Sequence, residues 1–176
     1  MTTMKKILKW TGIALGGLLG LILVAALGLY IFAPDPVTAR SEVEIAAAPE
    51  VIFEQFTDYD YWYELWDVID VTPPQEPEAG TVFQFVEPDG TVVNGVITQY
   101  EEGRVFAADL TMEGIDADFS FSLTLEPTAN GTQAVLYNEG KVGGPMKVMM
   151  AAYAMTGELN AYYDLVINRL KTKVEG

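Results

Sequence analysis

The pattern of hydrophobic positions divides the chain into three stretches. The first, from Trp10 to Pro34, has 25 residues without a charge, mostly Leu, Ile, Ala, Gly and Val. The second, from about residue 39 to residue 139, contains short runs in which apolar and polar residues alternate, which is typical of strands. The third, from Met146 to Val174, has apolar residues at helical spacing. The pattern therefore predicts an apolar helix, an antiparallel meander and a long C-terminal helix.

The apolar stretch is long enough to cross a membrane. At ~1.5 Å per residue it spans roughly 37 Å, against a hydrocarbon core of about 30 Å. Lys5, Lys6 and Lys9 precede it, and this basic excess predicts that the N-terminus stays cytoplasmic. We therefore expect a single-pass bacterial membrane protein with a periplasmic or extracellular domain. A cleaved signal peptide is the alternative, because it also combines a basic start with an apolar run.

Glycines recur every four residues in the predicted helix. Gly12, Gly16 and Gly20 share one helix face, and this spacing favours a homodimer because it lets two backbones approach closely. The competing interpretation is that glycine is simply common in membrane helices. Asp35-Pro36 then breaks the helix. The predicted organisation is a cytoplasmic stub and membrane helix over 1–34, a linker over 35–38 and one folded domain over 39–176.

The domain begins with a strand over 39–46, followed by two short helices. Pro49 suits the first position of the first helix, and Thr57-Asp58 is a cap for the second, which runs through Trp66. Strands that share an apolar face are predicted over 81–86, 91–100, 105–112, 117–125 and 132–139. The C-terminal helix, predicted to continue through Gly157, must cover that face, so the fold class is α+β.

Composition excludes several classes of function. The chain has no Cys and no His, which removes disulfides, thiolate nucleophiles, imidazole bases and Cys/His zinc sites. We expect no cofactor and no metal. All 25 Asp and Glu lie from Asp35 onward with seven of the ten basic residues, so this part carries a net charge of −18. Such a surface repels phosphate backbones, so nucleic acid is not an expected partner.

The start of the domain, SEVEIAAAPEVIFEQFTDYDYWYELW, resembles the START-like superfamily, also called SRPBCC, which includes polyketide cyclase/dehydrase-like proteins. The resemblance covers about residues 38–174 and extends to the meander and the C-terminal helix. It implies a helix-grip fold, in which a curved antiparallel sheet wraps around a long helix and leaves a hydrophobic cavity. The matching positions at the start are Ile45, Ala48, Pro49, Ile52, Phe53, Asp58, Trp62 and Trp66.

Members of this superfamily bind lipids, sterols, polyketides or other apolar molecules, and the resemblance implies the same here. Four of the seven methionines lie in Met146–Met155, and methionine suits an adaptable apolar pocket. We therefore expect a membrane-tethered protein that binds a hydrophobic small molecule or lipid. The candidate cavity residues are Phe83, Phe85, Phe106, Met112, Phe119, Phe121, Tyr137, Met149, Met150, Tyr153 and Met155.

Two other functions remain open. A cyclase or dehydratase would need an acid inside the cavity, and the candidates are Asp109, Asp118 or Glu139 beside Tyr137. Strand alternation places Asp109 away from the apolar face, and no catalytic constellation is recognisable, so no catalytic residue is predicted. The third hypothesis is an interaction module with a fully packed interior, whose acidic face binds a cationic partner.

Overall fold

The computed structural model describes residues 2–32 and 34–176, and within them it has five helices and seven strands. Met1 and Ala33, both in the predicted segment 1–34, lie outside the described residues. In chain order the elements are α1 (Thr2–Phe32), β1 (Val37–Ile45), α2 (Pro49–Thr57), α3 (Trp62–Leu65), β2 (Asp70–Thr72), β3 (Val82–Val86), β4 (Val92–Glu101), β5 (Val105–Met112), β6 (Ala117–Pro127), β7 (Thr132–Val142), α4 (Gly144–Thr156) and α5 (Glu158–Glu175).

The seven strands form one antiparallel sheet in the order β1-β7-β6-β5-β4-β3-β2. Each neighbouring pair from β2 to β7 follows directly in the chain, as expected for a meander, and β1 closes the far edge against β7. Alternation gives the sheet an apolar inner face and a polar outer face. In β6, for example, Phe121, Leu123 and Leu125 are buried, whereas Ser120 is exposed.

α2 and α3 turn a corner under the sheet. Pro49 begins α2, and Ile52, Phe53 and Phe56 form its buried face. The indole Nε1 of Trp62 donates to the carbonyl of Phe56 at 2.8 Å, which joins α3 to the end of α2. The corner packs the aromatic rings of α2 and α3 against those of the sheet. Phe56, for example, packs edge-to-face against Phe106, with 5.6 Å between the ring centroids.

α5 is the helix that the sheet wraps around. Tyr163, Val166, Ile167 and Leu170 are buried, and their spacing of three and four residues places them on one face. Burial of such side chains contributes about 1.5–3 kcal/mol each, so this stripe fixes α5 against the sheet and α2. The α+β class and the helix-grip arrangement predicted from the sequence are confirmed.

The C-terminal helix is not continuous, which corrects the prediction of one helix from Met146 to Val174. Gly157 has φ of 79°, a left-handed conformation that glycine adopts at little cost and that ends a helix. The break separates the Met-rich α4 from α5. α4 lies beside the end of α1, where Lys147 Nζ is 5.5 Å from the ring of Tyr30 and 3.2 Å from Asp35 Oδ2.

α1 is long and apolar enough to cross a membrane over Trp10–Phe32, and none of this stretch is buried against the rest of the chain. The strand predicted to start at residue 39 begins two residues earlier, at Val37, inside the predicted linker. The predicted strands all form, with ends that differ by up to three residues. β2, a three-residue edge strand, was not predicted, because so short a segment carries no measurable alternation.

Candidate functional site

A partly enclosed cavity of about 100 Å³ (hereafter the enclosed cavity) lies between the inner face of the sheet, α3 and α5. β5 and β6 supply its sheet wall through Leu110, Met112, Phe119 and Phe121, all of which point to the inner face by alternation. The volume is enough for a ring-sized group but below the roughly 300–1,000 Å³ of sites that hold a whole drug-sized ligand.

The opposite wall is aromatic. Trp62 and Trp66 come from the α2–α3 corner, and Tyr162 and Tyr163 come from α5. Trp66 packs edge-to-face against Phe121 at 5.8 Å and against Tyr163 at 6.3 Å. Because edge-to-face pairs hold rings in defined orientations, this wall is rigid and presents flat apolar surfaces to the cavity.

Two polar side chains lie in the cavity wall. Asn138 lines the cavity and is only 4% exposed. Its neighbours on the adjacent strands are Ala39 and Phe121, neither of which offers a side-chain acceptor or donor. The Nε1–H of Trp66 is buried and has no partner among the described residues. A buried polar group without a partner costs about 1–3 kcal/mol, so this indole is unusual in an otherwise apolar wall.

Glu87 is the acid at this cavity. It follows Phe83 and Phe85 at the inward positions of β3 and lies just before the Pro88-Asp89-Gly90 turn. Burial, and then the nearby charge of Asp89, raises the pKa of the Glu87 carboxyl above its ordinary value. The lining residues of the cavity include no lysine and no arginine, so no cation faces this carboxyl from the cavity wall.

A second space, a groove of about 360 Å³, lies beneath α4. Met146, Met149 and Met150 of α4 form its roof. Glu87, Met112 and Phe119 line both the groove and the enclosed cavity. These three side chains therefore form the boundary between the two spaces, and movement of Met112 or Phe119 would join them.

The structure distributes the predicted cavity residues among several places. Phe85, Met112, Phe119 and Phe121 line the enclosed cavity, and Met149 and Met150 line the groove. Phe83 and Phe106 are buried in the packed core, where Phe83 contacts Trp62 and Phe106 contacts Phe56.

Three predicted residues lie elsewhere. Met155 is 70% exposed and Tyr153 is also exposed, because they lie on the side of α4 away from the sheet. Tyr137 is on the outer face of β7, since the inward positions of this strand are 132, 134, 136, 138 and 140. Its hydroxyl donates to Glu139 Oε2 at 2.9 Å. The placement of Tyr137 in the cavity is therefore corrected by one position to Asn138.

The acids proposed for catalysis also lie on the outer face. Asp109 and Asp118 are exposed, and Glu139 is half-buried beside Tyr137. Within the residues that the structure describes, no three Asp or Glu side chains come together as a metal site.

Sequence reasoning missed Glu87, Asn138, Trp66 and the tyrosines of α5 as lining residues. Two of them carried a signal. Glu87 continues the inward alternation of Phe83 and Phe85, and Asn138 continues that of Ala134 and Leu136. A polar residue that interrupts an apolar strand face conflicts with the local pattern, and such conflicts mark functional sites.

Residues 36–175 match the family described as polyketide cyclase / dehydrase and lipid transport. No curated protein matches the chain. Among solved structures, DynU16 from the dynemicin biosynthetic locus is 16% identical with a TM-score of 0.60, over 79% of this chain and 47% of DynU16. An uncharacterised protein from Rhizobium leguminosarum is 14% identical with a TM-score of 0.60, over 80% of this chain and 95% of that protein.

The di-domain ARO/CYC protein StfQ from the steffimycin biosynthetic pathway is 16% identical with a TM-score of 0.59, over 80% of this chain and 51% of StfQ. The chain thus spans about half the length of DynU16 and of StfQ. At these identities the likeness shows a shared fold.

Proposed function

The chain belongs to the polyketide cyclase / dehydrase and lipid transport family, and from this premise we propose that it is a membrane-tethered binding protein for a hydrophobic small molecule or lipid. The ligand occupies the enclosed cavity between the sheet and α5 and extends into the groove beneath α4. The observation that carries the proposal is an apolar cavity whose wall contains the side-chain amide of Asn138 and the unpartnered indole N–H of Trp66.

The size of the two spaces supports a ligand that spans both. The enclosed cavity holds about 100 Å³, which is too small for a lipid or a polyketide alone, whereas the groove adds about 360 Å³. Methionine side chains bend readily around apolar surfaces of different shape. The roof of Met146, Met149 and Met150 is therefore suited to the variable part of a ligand, and the rigid aromatic wall to its fixed part.

The tether places the groove near the bilayer. In this proposal α1 is a retained membrane anchor, with residues 1–34 as anchor and 39–176 as the domain on the periplasmic or extracellular side. Lys147 of α4 contacts Tyr30 and Asp35 at the end of α1, so α4 and the groove beneath it stay close to the membrane surface. Apolar ligands concentrate in the membrane, which shortens their route to the groove.

Protease digestion of intact spheroplasts tests this orientation. A domain on the outer side is cleaved before lysis, whereas a domain that resists the protease until the cells are lysed would place it in the cytoplasm. The persistence of α1 is tested on undigested membranes from the same cells, because a retained anchor leaves the full-length mass in the membrane fraction.

Native mass spectrometry of the full-length protein, released gently from its own membranes, tests ligand binding. We expect a stoichiometric apolar adduct. The variant Leu110→Phe, which fills the enclosed cavity, should lose the adduct. Its matched control is Val96→Phe, because Val96 lies on the neighbouring strand but is exposed on the outer face. A protein that carries no adduct, or an adduct that both variants retain equally, would exclude the cavity as a binding site.

A second candidate function is an enzyme of the cyclase or dehydratase type, and the position of Glu87 favours it. A partly buried carboxyl with a raised pKa holds its proton to a higher pH than an exposed carboxyl does, which suits it to proton transfer. The adduct recovered above distinguishes the two functions. An enzyme converts it to a product of different structure or mass, such as one lighter by a molecule of water, and Glu87→Gln prevents the conversion. A binding protein releases it unchanged.

A further inference from the structure

The polar groups in the cavity wall restrict the chemistry of the ligand. Asn138 is unusual because its side chain is at an inward position of β7 between apolar neighbours, Ala39 on one side and Phe121 on the other. It is almost completely buried, and it lines the enclosed cavity. An amide that served only to fill space would be replaced at lower cost by leucine, which has a similar shape and needs no partner.

The position of Asn138 makes its amide available to a ligand. The residue lines the enclosed cavity, so the side chain is available to a molecule inside it. An amide both donates and accepts hydrogen bonds. The indole of Trp66, in the wall of the same cavity, adds a buried donor without an acceptor. A ligand group that accepts from one of these donors and donates to the amide oxygen satisfies them, and a hydroxyl does both.

The charge of the cavity excludes acidic ligands. Glu87 lines it, Asp89 lies beside Glu87, and the lining contains no lysine or arginine. Arg169 influences the neighbouring Tyr162, but its guanidinium is bound to Asp67 at 2.8 Å and to the carbonyl of Leu65. A carboxylate or phosphate brought into this space would be buried without a cation and beside an acid, which is strongly unfavourable.

The two spaces also fix the orientation of the ligand. The polar groups lie in the enclosed cavity, whereas the groove beneath α4 is roofed by methionine. We propose that the site selects a neutral, hydroxyl-bearing apolar molecule, with its hydroxyl at the Asn138 amide and its apolar part in the groove beneath α4. This inference rests on the proposed function, because it names the ligand class for the same cavity.

Three probes of equal chain length test the ligand class: 1-octanol, octanoate and octane. Each is titrated at neutral pH into the full-length protein in lipid nanodiscs, and the saturable change in tryptophan fluorescence is measured. Leu110→Phe, with its cavity filled, gives the baseline. We expect 1-octanol to bind at least tenfold more tightly than octanoate. Equal or tighter binding of octanoate would overturn the inference but leave the proposed function intact.

Asn138→Leu tests the contribution of the Asn138 amide to 1-octanol binding. It should weaken 1-octanol binding about tenfold and leave octane binding unchanged, so octane also reports whether the cavity of the variant is intact. Trp66→Phe is a second variant with the same expectation for 1-octanol, and Trp62 remains in it as the fluorophore.

Tyr59→Phe is the matched control. Its hydroxyl, like the Nε1–H of Trp66, is buried without a partner among the described residues, but Tyr59 does not line the cavity, so its removal should change binding of none of the probes. If neither Asn138→Leu nor Trp66→Phe weakens 1-octanol binding relative to octane, the inference is wrong. If no probe binds saturably to wild type, the proposed function fails together with it.

Discussion

At the scale of single residues, Glu87 links the cavity to the stability of the fold. Burial and the charge of Asp89 raise the pKa of Glu87 above 4.5, its value in the unfolded chain. As the pH rises through 4.5, the unfolded chain loses this proton first. The folded protein therefore becomes less stable until the pH has passed the raised pKa, after which the loss is constant.

Glu87→Gln should remove this loss. Below pH 4.5 the free energies of unfolding of variant and wild type should differ by a constant amount, and above it the difference should grow in favour of the variant. Urea unfolding of both proteins at a series of pH values measures this difference. Asp89→Asn is the control, because hydrogen bonds from Thr91 lower the pKa of Asp89. For this variant the difference in free energy of unfolding should grow with pH in favour of wild type. A difference for Glu87→Gln that does not vary with pH would contradict the burial of its charge.

Gly140 shapes the boundary between the cavity and the groove. A Cβ at this position would overlap the ring of Phe119, which lines both spaces. Gly140→Ala should destabilise the protein by about 1–3 kcal/mol, the usual cost of overpacking, and should also alter ligand binding. Gly95→Ala is the matched control, because its Cβ would overlap Phe83, which is in the packed core.

Urea unfolding and the 1-octanol titration separate the two effects. Both variants should lose stability, and only Gly140→Ala should change the affinity. If the two variants changed it equally, Phe119 would have no specific part in the boundary.

The predictability of the site also differs from residue to residue. Apolar residues such as Phe85, Phe119 and Phe121 could be predicted as cavity lining, because period-two alternation places them on the inner face. The same alternation indicates Asn138 and Glu87, but a hydrophobic pattern assigns polar residues to solvent by default. Trp66 could not be separated from the core by sequence, since lining a cavity and filling a core require the same residue types.

At the scale of elements, α4 and α5 differ in how firmly they are held. Among the residues of α4 whose side chains are described, only Ala151 is fully buried, whereas α5 buries Tyr163, Val166, Ile167 and Leu170. Few buried apolar contacts give a low free energy of local opening. The methionine roof of the groove therefore belongs to the less stable of the two helices.

Hydrogen–deuterium exchange with mass spectrometry measures this difference. In the full-length protein, amides in the interior of α4 should exchange faster than those in the interior of α5, and the α2 peptide with Ile52, Phe53 and Phe56 should behave like α5. A ligand in the groove should slow exchange in α4 without affecting α5. Equal protection of α4 and α5 in the free protein would contradict the lower stability of α4.

The elements themselves followed largely from sequence. Strands such as β5 and β6 could be predicted because their alternation runs over eight residues or more. The break at Gly157 was missed because the apolar stripe continues on both sides of it, so hydrophobic periodicity alone shows one helix. A single glycine is tolerated inside helices at a cost of about 1 kcal/mol, and only the backbone shows that Gly157 is left-handed.

At the scale of the whole molecule, charge and apolar surface are separated. The residues from Asp35 onward carry −18, whereas the stretch Trp10–Phe32 of α1 next to them has no charged residue and exposes many apolar side chains. Five ion pairs are present in the described residues, and each uses one of the seven basic residues of this acidic part. Most carboxylates of the described residues therefore lie outside these ion pairs, and exposed ion pairs offset little of the negative charge, at about 0–1 kcal/mol each.

This imbalance predicts that salt stabilises the domain. Self-repulsion within a compact, highly charged protein favours unfolding, and added salt screens it, since the Debye length falls from about 30 Å at 0.01 M to about 8 Å at 0.15 M. The melting temperature of the full-length protein in zwitterionic nanodiscs should therefore rise over this range of sodium chloride. A variant with Glu76→Gln, Glu102→Gln and Glu126→Gln, three exposed acids outside the five ion pairs, should melt higher at low salt and depend less on salt. A melting temperature that falls with added salt would mean that the ion pairs, and above all the pair of Lys147 with Asp35 beside the anchor, outweigh the repulsion.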